Sequence, residues 1–187
     1  RLIGIRGPKG VGKSTLLLQH IKENFTDRSK VLYVSLDNIW FSSNSLIDLV
    51  EYHYTHGGTH IFLDEVHRYK QWQDSIKNIY DDYPDLHVVY TGSSMLKLRA
   101  ADGDLSRRLR SYELNGLSFR EYLAFETVRN YPVMKIDDVL TNHVSLASDI
   151  TSEIKILPYF ERYLSSGYYP FYKEEGDGYL SRVQEVV

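Results

Sequence analysis

The chain opens "RLIGIRGPKGVGKSTLLLQHI", in which Gly7, four residues, Gly12, Lys13 and Ser14 fit the pattern G-x-x-x-x-G-K-[ST] between two apolar runs. No other stretch restricts the fold so tightly. A loop that wraps a polyphosphate must turn backbone N–H groups inward, and glycine reaches the required dihedrals without a Cβ in the way. The helix that follows adds the partial positive charge of its N-terminus. Such a motif asks for a buried strand before residue 7 and an amphipathic helix after residue 14. Leu2, Ile3 and Ile5 supply the first, and Leu16, Leu17, His20 and Ile21 lie near helical spacing for the second. Lys13 is then placed to reach the β- and γ-phosphates of a nucleotide, and the Ser14 hydroxyl to ligate Mg²⁺. The candidate nucleotide-binding residues are Gly7, Pro8, Lys9, Gly10, Val11, Gly12, Lys13, Ser14 and Thr15.

Further apolar runs at 31–36, 60–63 and 87–90 lack the polar alternation of a one-sided sheet and read as buried strands. Helical patterns at 15–24, 45–54 and 71–80 lie between them, the second opened by Ser45 and Asp48 in a capping-box arrangement. Strands alternating with helices predict an α/β fold, a mostly parallel sheet covered on both faces. The pattern changes after Thr91. An arginine-rich stretch over 98–110 leads to "SYELNGLSFREYLAFE", where Ser118 and Glu121 form another capping box. The remainder reads as helices interrupted at Pro158 and Pro170, with tyrosines crowding "PYFERYLSSGYYPFY". The expected domains are 1–130, holding the phosphate site, and 131–187, a small helical segment cut from something longer.

The second motif is "HIFLDEVH", in which Asp64 ends a hydrophobic strand and Glu65 follows. An aspartate there can hold Mg²⁺ opposite Ser14, and a carboxylate one residue on can polarise the water that attacks a γ-phosphate. In "HVVYTGSSM" a third strand ends in small polar residues, and Ser93 and Ser94 are candidates to sense the γ-phosphate or the water. In "DLSRRLRSYEL", Arg108 and then Arg107 are candidate arginine fingers, acting on their own subunit or across an interface, followed by Arg99 and Arg68.

Composition narrows the field. With no cysteine, disulfides, thiol nucleophiles and Cys-ligated zinc are excluded. A formal net charge of -3 gives no overall case for a polyanion partner. No apolar run approaches a membrane span and no leader is evident, so the expected location is cytoplasmic. "DEVH" imitates a helicase motif, but such helicases need two lobes where this chain has room for one. A guanine-specific N-K-x-D loop is absent, and the seven histidines show no metal-ligand spacing. Sixteen tyrosines could stack on nucleic acid, although packing accounts for most of them.

With these residues in place, the chain resembles the bacterial and archaeal AAA-type ATPases that carry a C-terminal domain of unknown function. The likeness lies in "GPKGVGKSTLL", "VLYVSLDN", "IFLDEVHRYKQWQDSIKNIYDDYPDLHVVYTGSSMLKL" and "RRLRSYELNGLSFREYL", and more weakly in "FERYLSSGYYP". It implies a P-loop NTPase sheet in which the strand before Gly7 lies beside the sensor strand, which lies beside the Asp64 strand. It also implies ATP with Mg²⁺, the acidic pair Asp64 and Glu65, and Ser93 or Ser94 as sensor. Family members usually carry Gly-Arg where this chain has Arg107-Arg108, which aligns Arg108 with the family arginine. The leading expectation is an ATPase domain that drives or switches an attached C-terminal module, a protein partner or a second copy of itself. Two alternatives stay open: a nucleotide-gated module that holds a partner or DNA with little turnover, and a small-molecule phosphotransferase with residues 107–110 as a lid.

Overall fold

The computed structural model describes residues 1–92, 107–127 and 129–186. The four apolar runs form strands β1 (Leu2–Arg6), β2 (Val31–Ser35), β3 (His60–Asp64) and β4 (His87–Gly92). A fifth, β5 (Arg110–Glu113), lies within the arginine-rich region. All pairings are parallel, and the sheet order is β2-β3-β4-β1-β5. β4 thus lies between the strand that feeds the glycine loop and the strand that ends in Asp64.

Helices α1 (Lys13–Asn24), α2 (Leu46–Thr55) and α3 (Trp72–Asp82) fill the connections. β3 shows why both faces of the sheet must be covered, since its last four residues are all buried although successive side chains point to opposite sides. Ile61 and Leu63 join the cluster built by Leu46 and Val50 of α2 and Trp72, Ile76 and Ile79 of α3. Phe62, between them, meets His20 of α1 and Phe25 just after it, at ring separations of 6.0 and 6.1 Å. Each fully buried aliphatic side chain of this core contributes roughly 1.5–3 kcal/mol by leaving water. At the start of α2, the Ser45 hydroxyl accepts the Asp48 N–H at 3.3 Å, as the cap pattern predicts.

Packing divides the chain into two compact units, Arg1–Asn115 and Gly116–Val187. The division lies ahead of the compositional boundary near Asn130, because α4 (Phe119–Thr127) packs against later helices. Phe119 meets Phe160 and Tyr163 at 5.1 and 5.4 Å, and Tyr122 meets Tyr163 and Tyr172 at 5.5 and 5.2 Å. The second unit continues with α5 (Ile136–Glu153), α6 (Ile156–Ser166), α7 (Tyr172–Glu175) and α8 (Tyr179–Val186). Pro158 falls in the first turn of α6, where its missing N–H has no helical partner to lose, so it opens that helix rather than interrupting it. Pro170 lies in the turn between α6 and α7. The tyrosines serve packing and hydrogen bonding here: Tyr163 donates to the Leu117 carbonyl at 2.8 Å and Tyr172 to Glu126 at 2.7 Å. Among the described residues, no helix is long and apolar enough to cross a membrane.

Candidate functional site

In a parallel sheet the loops after the strands gather at one edge, and there the motif residues meet. β1 delivers the chain into the loop at Gly7. A Cβ at Gly7 would come within 2.1 Å of the Leu114 carbonyl oxygen, so no larger residue fits while β5 pairs with β1. Gly10 and Gly12 take φ values of 85° and 98°, the left-handed region open to glycine, and Gly12 caps α1. Lys13 is 4 % exposed, and its ammonium donates to the carbonyls of Gly7 and Pro8 at 3.0 and 2.8 Å. Burial pushes its pKa down, against the opposing pull of Glu65 and Asp64.

Asp64 ends β3 and is 2 % exposed. A buried carboxylate needs donors, and two side chains provide them. Tyr33 of β2 donates to Oδ2 at 2.8 Å, and Thr91 of β4 donates to Oδ1. Thr91 Oγ1 also accepts the Glu65 N–H at 3.1 Å, so one hydroxyl ties both acidic residues to the neighbouring strand. Burial, and then the bond to Asp64, push the Tyr33 phenol up, which keeps it a donor at neutral pH.

Glu65 has φ 53° and ψ 42°, and it is the one non-glycine residue with positive φ among those described. This conformation costs an L-residue roughly 1–2 kcal/mol. It turns the chain sharply into the short 3-10 helix Val66–Arg68, which Val66, fully buried, pins to the core. The Glu65 carboxylate lies 3.4 Å from His67 Nδ1.

Asp64 and Glu65 border a cleft of about 350 Å³. Lys9, Gly10 and Ser14 form one wall, and Asp64, Glu65 and Arg68 another. Ser35, the last residue of β2, and Asp37, just beyond it, complete the lining. The donor chemistry suits Mg²⁺, a hard ion that takes oxygen ligands and usually keeps water and substrate phosphate in its shell. Ser14 and Asp64 offer such oxygens on one cavity, and among the described residues no cluster of three or more His, Cys, Asp or Glu offers a competing metal cage.

The remaining candidates lie elsewhere. Ser93, Ser94 and Arg99 are outside the described residues. Arg107 and Arg108 sit in the turn before β5, at the strand edge opposite the cleft. Arg108 Nε is 3.2 Å from Asp81 at the end of α3, and its guanidinium is 5.9 Å from the centre of the Tyr80 ring, which also stacks on Arg1 at the start of β1. A strand's length, roughly 16 Å, separates that edge from the glycine loop. Within its own chain, Arg108 does not reach the cleft. The residues that sequence reading missed are Tyr33, Thr91, Ser35 and Asp37. Thr91 was within reach, because pairing "FLD" with "VYT" at their C-terminal ends puts it beside Asp64, in step with the register Leu63↔Tyr90.

A comparison with curated proteins gave no match. Among solved structures, the chain is similar to the structure of C. elegans PCH-2 at a TM-score of 0.40 and 18 % identity, over 73 % of this chain and 43 % of that one. The model of the AAA domain family matches residues 1–123, about two thirds of the chain. With a parallel sheet in the order 2-3-4-1-5, a glycine loop between β1 and α1 and an acidic pair at the end of β3, the chain belongs to the AAA domain family.

Proposed function

We propose that the first unit binds ATP with Mg²⁺ in the 350 Å³ cleft and hydrolyses it, switching the attached helical unit, a protein partner or a second copy between two states. The observation that carries this reading is the Asp64–Glu65 pair, tied to β4 by the buried Thr91 hydroxyl, on the same cavity as Ser14 and in electrostatic reach of the buried Lys13 ammonium. The loop N–H groups from Lys9 to Ser14 cradle the phosphates. Lys13 exchanges its carbonyl partners for β- and γ-phosphate oxygens, a stronger, charge-assisted set of bonds. Ser14 and Asp64 would hold Mg²⁺, and the ion would supply charge neutralisation for the triphosphate. Glu65 accepts a proton from the attacking water. Its left-handed backbone and the Thr91 bond fix its direction before substrate arrives. The position of β4 between β1 and β3 supports hydrolysis over phosphotransfer, because this is the strand order that the resemblance to AAA-type ATPases implies.

The test is phosphate release by the wild type, Lys13→Ala and Glu65→Gln, with ATP affinity measured alongside. Lys13→Ala is expected to lose most nucleotide affinity. Glu65→Gln is expected to bind ATP and lose turnover by at least 10²-fold. If Glu65→Gln hydrolyses ATP at the wild-type rate, the assigned base is wrong.

A further inference from the structure

We propose that Arg68 is the arginine that meets the terminal phosphate from within the same chain, a role that rests on the ATP-hydrolysis reading above. Phosphoryl transfer spreads negative charge over the γ-phosphate oxygens as the bond to the leaving group lengthens, and an arginine is the usual side chain that answers it. In this cleft the demand is acute, since three carboxylates, Asp37, Asp64 and Glu65, border the cavity where that charge grows. Lys9 and Lys13 belong to the glycine loop, and Lys13 is drawn back onto the Gly7 and Pro8 carbonyls. Arg68 is the guanidinium among the lining residues, and it comes from the segment that carries the acidic pair.

Its position follows from the backbone. The Arg68 N–H donates to the Glu65 carbonyl at 2.9 Å, and the Tyr69 N–H donates to Val66 at 3.0 Å. With Val66 in the core, the Arg68 Cα is held at a fixed offset from Glu65 while its side chain stays exposed. An extended Glu65 would send residues 66–68 straight on from β3 and carry Arg68 off the cleft. The left-handed turn folds them back, so one strained residue sets both the water-activating carboxylate and the arginine. Arg68 also borders an adjoining cavity of about 710 Å³ formed with Leu36, Phe41 and Tyr69, which gives the side chain room to withdraw when phosphate leaves.

In the step itself, the water oxygen bonds to the γ-phosphorus while the bond from that phosphorus to the β,γ-bridging oxygen breaks. The products are ADP and inorganic phosphate, and the water proton passes to Glu65 and then to solvent. Arg68 donates hydrogen bonds to γ-phosphate oxygens throughout and makes or breaks no covalent bond. Its two-pronged fork distinguishes it from a lysine at the same place.

The experiment uses the full chain and two readouts: steady-state phosphate release, and titration with ADP and with the slowly hydrolysed analogue ATPγS. Arg68→Ala is expected to lower turnover by 10²-fold or more and to weaken ATPγS binding about tenfold, with ADP affinity within twofold of wild type. Arg68→Lys should recover analogue binding in part and turnover hardly at all. Arg108→Ala should leave both readouts unchanged, and specific activity should not depend on protein concentration. Arg68→Ala that hydrolyses and binds ATPγS within twofold of wild type overturns the assignment while leaving the hydrolysis reading intact. Loss of activity in Arg108→Ala, with activity that rises with protein concentration, overturns it in favour of an arginine from a second copy. If the wild type binds neither nucleotide, both this inference and the function it rests on fail.

Discussion

Replacing Thr91 by valine keeps the shape of a residue that is fully buried in β4 and removes only its hydroxyl. Two bonds go with it. Asp64 loses a charge-assisted donor, about 1.5–3 kcal/mol, and the Glu65 N–H loses its acceptor, about 1–3 kcal/mol. The two losses share one oxygen and overlap, and the added methyl recovers part of them by apolar burial, so the expected net cost is about 3 kcal/mol. For a unit the size of Arg1–Asn115, that corresponds to a fall in Tm of roughly 10 °C. Urea unfolding followed by the fluorescence of Trp72, which is buried against the core, measures the change, and the midpoint should fall while the slope stays constant. Thr91→Ser keeps the oxygen and should cost only about 1 kcal/mol for the lost methyl. Combining Thr91→Val with Tyr33→Phe strips both donors from Asp64, and the double mutant should depart from additivity by at least about 0.5 kcal/mol. A Thr91→Val protein within 0.5 kcal/mol of wild type would refute the view that this hydroxyl organises the acidic pair.

Three further outcomes are expected. Glu65→Gly should be more stable than Glu65→Ala by about 1 kcal/mol in thermal melts, because glycine accepts φ 53° without a Cβ penalty, although neither variant should hydrolyse ATP. Ile76→Ala removes most of a fully buried side chain from the α3 interface and should destabilise by about 2–5 kcal/mol in denaturant titrations. In the second unit, hydrogen bonds from the Ser118 hydroxyl and then its N–H hold the Glu121 pKa below the usual carboxylate range. A depressed carboxylate stabilises the fold above its unfolded pKa and loses that effect as pH falls through its folded pKa. Melts from pH 7 to pH 3 should therefore show a Ser118→Ala deficit of about 1 kcal/mol near neutrality that shrinks on acidification.

The strands that could be read in the chain are those buried on both faces, where near-continuous apolar runs have no other explanation. Ile61, Phe62 and Leu63 are the clearest case, because each must be covered from one side or the other. β5 escaped because "RSYE" is an edge strand with every residue exposed, held by backbone pairing to β1 rather than by apolar side chains. The glycine loop and Asp64-Glu65 were legible because phosphate chemistry fixes residue type and spacing together. Tyr33 and Thr91 were not, since their roles arise only when separate strands come into register, and a tyrosine or threonine in a strand ordinarily reads as β-propensity. Arg108 shows the converse. It aligns with the Gly-Arg pair of the resembled family, yet it precedes β5 at the end of the sheet away from its own chain's cleft, where it pairs with Asp81.

The contact between Gly7 and the Leu114 carbonyl has a mechanical side. Leu114 also donates its N–H to Arg6 at 2.7 Å, so the last residue before the glycine loop and the first after β5 are clamped together. Two residues further on, the second compact unit begins at Gly116. A side chain at Gly7 would meet main chain at Leu114, which cannot turn aside as a flexible side chain could. The entrance of the glycine loop is thereby braced by main chain on its β5 side, which holds the phosphate end of the first unit in one shape.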